Sequence, residues 1–259
     1  MEKGEDNLFI EERQDKIVKY IEKVEKATIE DIMSLLKISR STVRRDLMDL
    51  ERKNLIIKTR GGALKKFFFK YEPSIEEKKV LNLDKKRNIA LTAKNYIKEG
   101  DVIFISGGTT TLELAKLLYD YSNLIVFTNA INILLELAQN KNIKIRILGG
   151  NFRRKTLSAV GLETISQMQN YNFNKSFMGA NGVSLEAGVT TPNELEARID
   201  REVIKRSRES FLLVDDTKFD SVAFSVICKL NEVDYVITNR EIEDSIRKKY
   251  IDKGIKLIY

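Results

Sequence analysis

Two short stretches of this 259-residue chain carry residue types and spacings that could do chemistry. The first is Ser106-Gly107-Gly108-Thr109-Thr110-Thr111. Its glycines let backbone N–H groups approach a phosphate, its threonine hydroxyls add donors, and a helix opening there adds partial positive charge. No Gly-Lys-Ser/Thr follows, so it is not a Walker loop. A structural role also fits, because Thr110 with Glu113 matches a capping box that simply starts a helix. The second stretch is Ser39-Arg40-Ser41-Thr42-Val43-Arg44-Arg45. Arginine forks can read guanine in a major groove, and Ser39, Ser41 and Thr42 are short enough to bond phosphate or base without holding the backbone away. For Arg45 the ordinary alternative is an i to i+4 pair with Asp49 on a solvated face.

The elements that must position these groups follow from apolar spacing. Ile17, Val18, Ile21 and Val24 give one helical face between Glu11 and Val24. Thr28, with Asp31 three residues on, caps a second helix whose inner face is Ile29, Ile32, Leu35 and Leu36. After a turn at Lys37 and Ile38, Ser39 caps a third helix with Val43, Leu47 and Leu50 inward. That turns Arg40, Ser41, Arg44 and Arg45 outward on its N-terminal half, where a recognition helix meets base edges. Residues 55–64, LIIKTRGGAL, read as two short strands around a basic turn, a wing with Lys58 and Arg60 placed for phosphate or minor groove and with Gly61 and Gly62 allowing the turn. The expected organisation is a winged helix-turn-helix over 1–66, a linker over 67–85 and an α/β domain over 86–259. Phe67, Phe68 and Phe69 in the linker are expected to pack on a domain or across a dimer seam.

In the second domain, apolar runs (DVIFIS, LIVFTN, IKIRILGG, FLLVDD, DYVITN, IKLIY) alternate with helical stretches, which predicts a mostly parallel sheet with helices on both faces. Ligands in such sheets sit at the C-terminal strand ends. Those ends carry Ser106 to Thr111, Thr128-Asn129, Gly149-Gly150 and Asp215-Asp216-Thr217-Lys218. Arg153, Arg154 and Lys155 read first as a solvated turn, with added positive field at the site as the alternative, and Thr191-Pro192-Asn193-Glu194 as a helix start capped by Thr191 with Pro192 at its first position.

Composition removes other classes. The chain has no histidine and one cysteine, Cys228, so zinc chemistry, a Ser-His-Asp triad and an internal disulfide are not expected, and Cys228 reads as a core residue. No apolar run approaches the roughly 18 residues needed to span a bilayer, and the charged N-terminus lacks a signal-peptide block, so a cytoplasmic protein is expected. The formal charge of +7 is concentrated: residues 37–70 hold 11 Lys or Arg against 3 acids, whereas 1–36 hold 6 against 10. That is the distribution of a nucleic-acid-binding surface attached to an ordinary domain.

Arg13, Ile17 and Ile21, then Ser39-Arg-Ser-Thr-Val-Arg-Arg-Asp-Leu47, then Thr59-Arg-Gly-Gly-Ala63 together resemble the signature of the DeoR family of sugar-catabolism regulators. The second domain resembles the DeoR sensor domain at Lys86, Gly108 to Thr111, Thr128-Asn129, Gly150, Gly161, Asp215 and Lys218. The resemblance implies a fold shared with ribose-5-phosphate isomerase, glucosamine-6-phosphate deaminase and CoA transferases. It also implies a phosphorylated sugar or polyol effector, with Lys86 and Lys218 meeting phosphate or hydroxyls. The chain departs from the family where Ser106 stands in place of Asp and Lys78 in place of Arg. The function so implied is an operator-binding regulator of double-stranded DNA, a repressor of a carbohydrate operon acting as a dimer or tetramer, with no cofactor and no catalytic residue. A sugar-phosphate isomerase or deaminase, using Asp215 and Asp216 as bases, and a regulator whose sensor has lost its ligand are the alternatives.

Overall fold

The computed structural model describes residues 10–24, 26–53, 55–59, 61–65 and 73–259, in two compact units, Met1–Tyr71 and Glu72–Tyr259. The first unit contains α1 (Ile10–Val24), β1 (Lys26–Thr28), α2 (Ile29–Leu36), α3 (Arg40–Arg52), β2 (Ile56–Thr59) and β3 (Gly62–Lys65). Ile17 and Ile21 from α1, Ile29 and Ile32 from α2, and Val43, Leu47 and Leu50 from α3 form its core, closed by Ile56 and Ala63 of the wing. That spacing places the three helices, but two residues expected on their inner faces are exposed, Val24, the last residue of α1, and Leu35, next to last in α2, where the packed stripe runs out at the helix end. Thr28 and Asp31 make the reciprocal capping box, and Lys37 ends α2 in the left-handed region at φ 53°.

The wing strands pair as expected, but β3 also pairs with β1, giving a three-stranded antiparallel sheet in the order β1-β3-β2. This changes the reason for one glycine. Gly62 lies opposite Thr28, and a Cβ there would stand 2.0 Å from the Ala27 carbonyl oxygen. Its requirement is close approach of two backbones rather than the turn.

The second unit begins inside the stretch expected as linker: Ser74 caps α4 (Ile75–Val80) through a full capping box with Glu77, and Leu83 opens α5 (Leu83–Lys94). The expected packing of Phe67, Phe68 and Phe69 lies outside the described residues. There follow β4 (Val102–Ile105), α6 (Thr109–Lys116), β5 (Ile125–Thr128), α7 (Ile131–Leu137), β6 (Lys144–Ile147), β7 (Asn151–Arg153), β8 (Ser158–Val160), α8 (Leu162–Met168) and β9 (Phe173–Met178). The chain continues through β10 (Gly182–Ser184), β11 (Gly188–Thr191), α9 (Glu194–Arg206), β12 (Ser207–Leu213), β13 (Ser225–Cys228), β14 (Tyr235–Ile237), α10 (Asp244–Ile251) and β15 (Leu257–Ile258).

Seven of these strands form one parallel sheet in the order β15-β14-β12-β9-β4-β5-β6. Alternate side chains serve its two faces. Ile103, Ile105, Phe177, Phe211 and Leu213 pack under α5, α6 and α7, whereas Phe104, Met178, Ile199 and Val203 form a separate cluster with α8 and α9. From β4 the order runs outward to β5 and β6 on one side and to β9, β12, β14 and β15 on the other. The switch point therefore lies between β4 and β9, and the loops leaving these strands diverge there. A smaller antiparallel sheet, β10-β11-β13, buries Cys228, whose thiol is pushed up to about 12 by burial and is no nucleophile.

Candidate functional site

Ser39 caps α3, its hydroxyl accepting the Thr42 N–H at 3.2 Å and lying 2.8 Å from Ser41 Oγ and 2.9 Å from Thr42 Oγ1. Three hydroxyls thus sit together on the exposed first turn. Arg40 pairs with Glu30 of α2, an exposed contact of small energetic weight. Arg44 and Arg45 are exposed and make no ion pair among the described residues. The expected alternative, Arg45 on Asp49, does not form, because Asp49 faces Arg52 at 3.5 Å. Lys58 is half-buried on β2. Arg60 lies outside the described residues.

A residue that sequence reasoning missed orients this helix. Asp46, 1% exposed, receives a two-pronged bond from Arg13 of α1, Nε to Oδ2 at 2.6 Å and Nη2 to Oδ1 at 2.8 Å. The fork fixes the rotation of α3 against α1 and so aims Arg44 and Arg45 outward.

In the second unit, Ser106, Gly107 and Gly108 carry the chain from β4 into α6 at the switch point, anchored by the Ser106 N–H to the Phe177 carbonyl at 3.0 Å. The capping box suggested for Thr110 and Glu113 is not made. The cap position is Gly108, with no side-chain cap bond, and Glu113 pairs with Lys116 at 2.6 Å instead. Thr109, Thr110 and Thr111 form the first turn, and the fully buried Thr111 Oγ1 has no hydrogen-bond partner among the described residues. At the end of β5, Asn129 gives its Nδ2 to the Ala159 carbonyl at 2.8 Å, leaving its buried Oδ1 without a donor among the described residues. Thr128 Oγ1 accepts the Ala130 N–H at 3.1 Å. Two buried polar atoms without partners, next to a glycine loop and a helix N-terminus, are what a displaceable polar ligand would satisfy.

Other expected residues are already engaged by the protein. Gly149 exchanges bonds with Thr164 and Gln167, and Gly150, at φ +151°, packs so closely on Thr164 that a Cβ would meet its Oγ1 at 2.2 Å. Asp215 accepts from the Thr217 N–H at 3.1 Å and hydroxyl and from Asn82 Nδ2 at 3.4 Å; Asp216 is held by Lys85 at 2.7 Å. Lys218 is half-buried and makes no ion pair among the described residues. Lys86 donates to the Lys78 and Leu81 carbonyls, tying α5 to the end of α4. Burial draws its ammonium down to about 8 against the pull of Asp215, and one of its three donors remains to meet a ligand.

The flank of the loop is acidic, which sequence reasoning did not find. Asn193, not Thr191, caps α9, accepting from the Leu195 and Glu196 N–H groups at 3.1 Å each; β11 extends through Thr191, so Pro192 precedes the cap. Glu196 and Asp200, one turn apart, face the loop and the β7–β8 hairpin. Glu196 receives Arg153 at 3.2 Å and the Thr156 hydroxyl at 2.5 Å, so Arg153 is built into the site wall rather than a solvated turn. Asp200 Oδ1 accepts the Ser106 hydroxyl at 2.6 Å, and burial holds this carboxyl up at about 7. The only sequence signal was the i, i+4 acid pair itself, which reads as a solvated face.

Two family models match the chain, the DeoR-like helix-turn-helix domain over residues 13–65 and the DeoR C terminal sensor domain over 81–240. The chain is 33% identical to the uncharacterized HTH-type transcriptional regulator FruR of Bacillus subtilis over 96% of its length and all of that protein. It is 34% identical to the lactose phosphotransferase system repressor of Staphylococcus epidermidis over 95% of this chain and 98% of that one. Among solved structures it is similar to ribose 5-phosphate isomerase A of Methanocaldococcus jannaschii, at 18% identity and a TM-score of 0.40 over 53% of this chain and 55% of that one. With a winged helix-turn-helix at one end and the sensor domain at the other, the chain belongs to the DeoR family of transcriptional regulators.

Proposed function

We propose that this protein is a repressor of a carbohydrate-catabolism operon whose grip on operator DNA is relieved or modulated by a phosphorylated sugar or polyol. The observation that carries the reading is the unpartnered Thr111 hydroxyl under the Gly107-Gly108 loop, in a chain that also presents two unpaired arginines on a capped helix. The phosphate is received by the backbone N–H groups at Gly107 and Gly108 and by Thr109, Thr110 and Thr111, with Lys218 and the spare Lys86 donor as counter-charge. Thr128, Asn129, Ser106 and Asp215 border the sugar, with Gly149 and Gly150 shaping the adjacent wall. Ser39, Arg40, Ser41, Thr42, Arg44 and Arg45 meet the major groove, and Lys58 and Arg60 the flanking backbone. The protein works as a homo-oligomer of at least two copies, because paired half-sites require paired recognition helices. It performs no catalysis: Asp215 and Asp216, the acids an isomerase would use, are held by Thr217, Asn82 and Lys85.

The test is fluorescence anisotropy with the DNA upstream of the protein's own gene, at fixed salt, with and without a panel of sugar phosphates and with random DNA as control. Operator preference that one compound shifts is expected, by linkage. Preference for the upstream DNA that no compound shifts would overturn the sensor half of the reading. Turnover of any of the compounds would overturn the non-catalytic half.

A second expectation concerns the loop. Gly108 has an extended backbone that any residue adopts, yet a Cβ there would stand 2.9 Å from Thr111 Oγ1. Gly108→Ala is expected to keep the fold while weakening the binding of the responsive sugar phosphate by about tenfold or more, or about 1.4 kcal/mol, read by calorimetric titration. Unchanged affinity would show that the loop does not hold the phosphate.

A further inference from the structure

We propose that Asp200, presented on α9 and held by Ser106, is the residue that selects the effector's hydroxyl end. The inference rests on the effector reading above and adds to it a recognition residue and a condition.

Asp200 is 7% exposed and makes no ion pair among the described residues. Among the described residues its side chain has one hydrogen bond, the Ser106 hydroxyl to Oδ1 at 2.6 Å, and no described donor reaches Oδ2. A buried carboxylate costs stability unless it is paired and hydrogen-bonded. The groups around it do not pair it. Glu196, one turn earlier on the same helix, is itself acidic and already takes Arg153 and Thr156. Cys228 of β13 is neutral at physiological pH. Arg201, the next residue, turns away and gives its guanidinium to the Val226 and Ile227 carbonyls at 2.6 and 2.8 Å. A residue whose only task was to join β4 to α9 would do so better uncharged.

The position supplies the missing reason. Ser106 is the first residue of the loop that receives the phosphate, so its partner Asp200 borders the same space. Asn129 Oδ1, also buried and without a donor among the described residues, belongs to the residue before Ala130, whose Cβ a side chain at Gly107 would meet at 3.4 Å. Phosphate offers no donor to either oxygen when fully ionised; a hydroxyl does. The site therefore has a donor-rich end at Gly107 to Thr111 and an acceptor-rich end at Asp200 and Asn129, complementary to a polyhydroxylated phosphate ester.

The pH coupling follows with a definite sign. Burial raises the Asp200 carboxyl to about 7, Ser106 opposes this and Glu196 adds to it. A ligand hydroxyl donates to the ionised form, so binding favours proton release, and affinity falls as pH drops below about 7.

The experiment is calorimetric titration of the full chain between pH 6 and 8 with inorganic phosphate and with hexose, pentose and polyol phosphates, for the wild type, Asp200→Asn and Ser106→Ala. For the responsive ester, wild-type affinity is expected to fall about tenfold from pH 8 to pH 6 beyond any change shared by Asp200→Asn, which carries the titration of the ester's own phosphate. Asp200→Asn should weaken that ester about tenfold at pH 8 and leave inorganic phosphate unchanged. Ser106→Ala, by removing the donor that favours the ionised carboxyl, should move the midpoint of the profile to higher pH. Thermal unfolding separates a structural role: Asp200→Asn should be more stable than the wild type above pH 7, because the cost of a buried charge has been removed. Coincident pH profiles for wild type and Asp200→Asn, or equal loss of ester and inorganic phosphate, would overturn the inference and leave the sensor reading standing. A wild type that binds none of the esters would overturn both.

Discussion

Asp46→Ala is expected to melt the DNA-binding unit at a temperature where the second unit is still folded, and to abolish operator binding with it. The substitution removes no surface charge that DNA could sense, since Asp46 is 1% exposed. It removes the acceptor for both prongs of Arg13, whose side chain keeps 16% exposure in the fork. Breaking a buried pair from one side costs about 3 to 5 kcal/mol, because the remaining charge is stranded. Arg13 has some access to water and can turn partly toward it, so about 2 to 3 kcal/mol is the expected loss here. A unit of some 70 residues has little stability to spare. Calorimetric scanning of the full chain should show the transition of the first unit move down while that of the second stays in place. Arg13→Ala, which leaves the bare carboxylate buried, should cost at least as much. Unmoved transitions for both variants would show that the fork contributes nothing to holding α3 in place.

Why this fork escaped the sequence, when the helices it joins did not, is a matter of range. The three helices were legible because their signals are local: apolar residues three and four apart, Thr28 with Asp31, Ser39 before Arg40. Asp46 falls on the inward face beside Val43, Leu47 and Leu50, yet as a carboxylate it reads as solvated until Arg13, 33 residues earlier, is seen to meet it. β1 escaped for a related reason: three residues show no period, and the strand exists only because the wing returns beside it.

The second unit divides the same way. β4, β5, β12 and β14 are apolar runs and were read as strands. β9, at the middle of the sheet, was not, because Asn174, Lys175 and Ser176 interrupt it. The structure gives two of these polar residues long-range partners: Lys175 pairs with Asp101 at 2.5 Å and Asn174 Oδ1 accepts the Val102 N–H at 2.7 Å, which stitches β9 to the start of β4. The glycine loop was visible as composition; its place at the switch point was not, because that depends on β9. Asp200 could not be read as a site residue at all, since its meaning comes from burial against Ser106, 94 positions away. Local chemistry was legible, and chemistry assembled across the sheet was not.

The unpaired arginines of α3 carry the second large effect. Arg44→Ala is expected to weaken operator binding by about 1 to 3 kcal/mol and to relax preference at one base pair of each half-site, because a guanidinium fork on a base edge is lost. Lys58→Ala is expected to act differently. If Lys58 neutralises phosphate from β2, at the side of the wing, as proposed, its loss should weaken operator and random DNA alike and lower the salt dependence of binding by about one counterion. The two variants separate because one contact carries sequence information and the other only charge. Anisotropy titrations at several salt concentrations, with operator and random duplexes, measure both terms. Equal losses on the two duplexes for Arg44→Ala would move this arginine to the phosphate backbone and leave Arg45, the next exposed and unpaired residue, as the base reader of the helix.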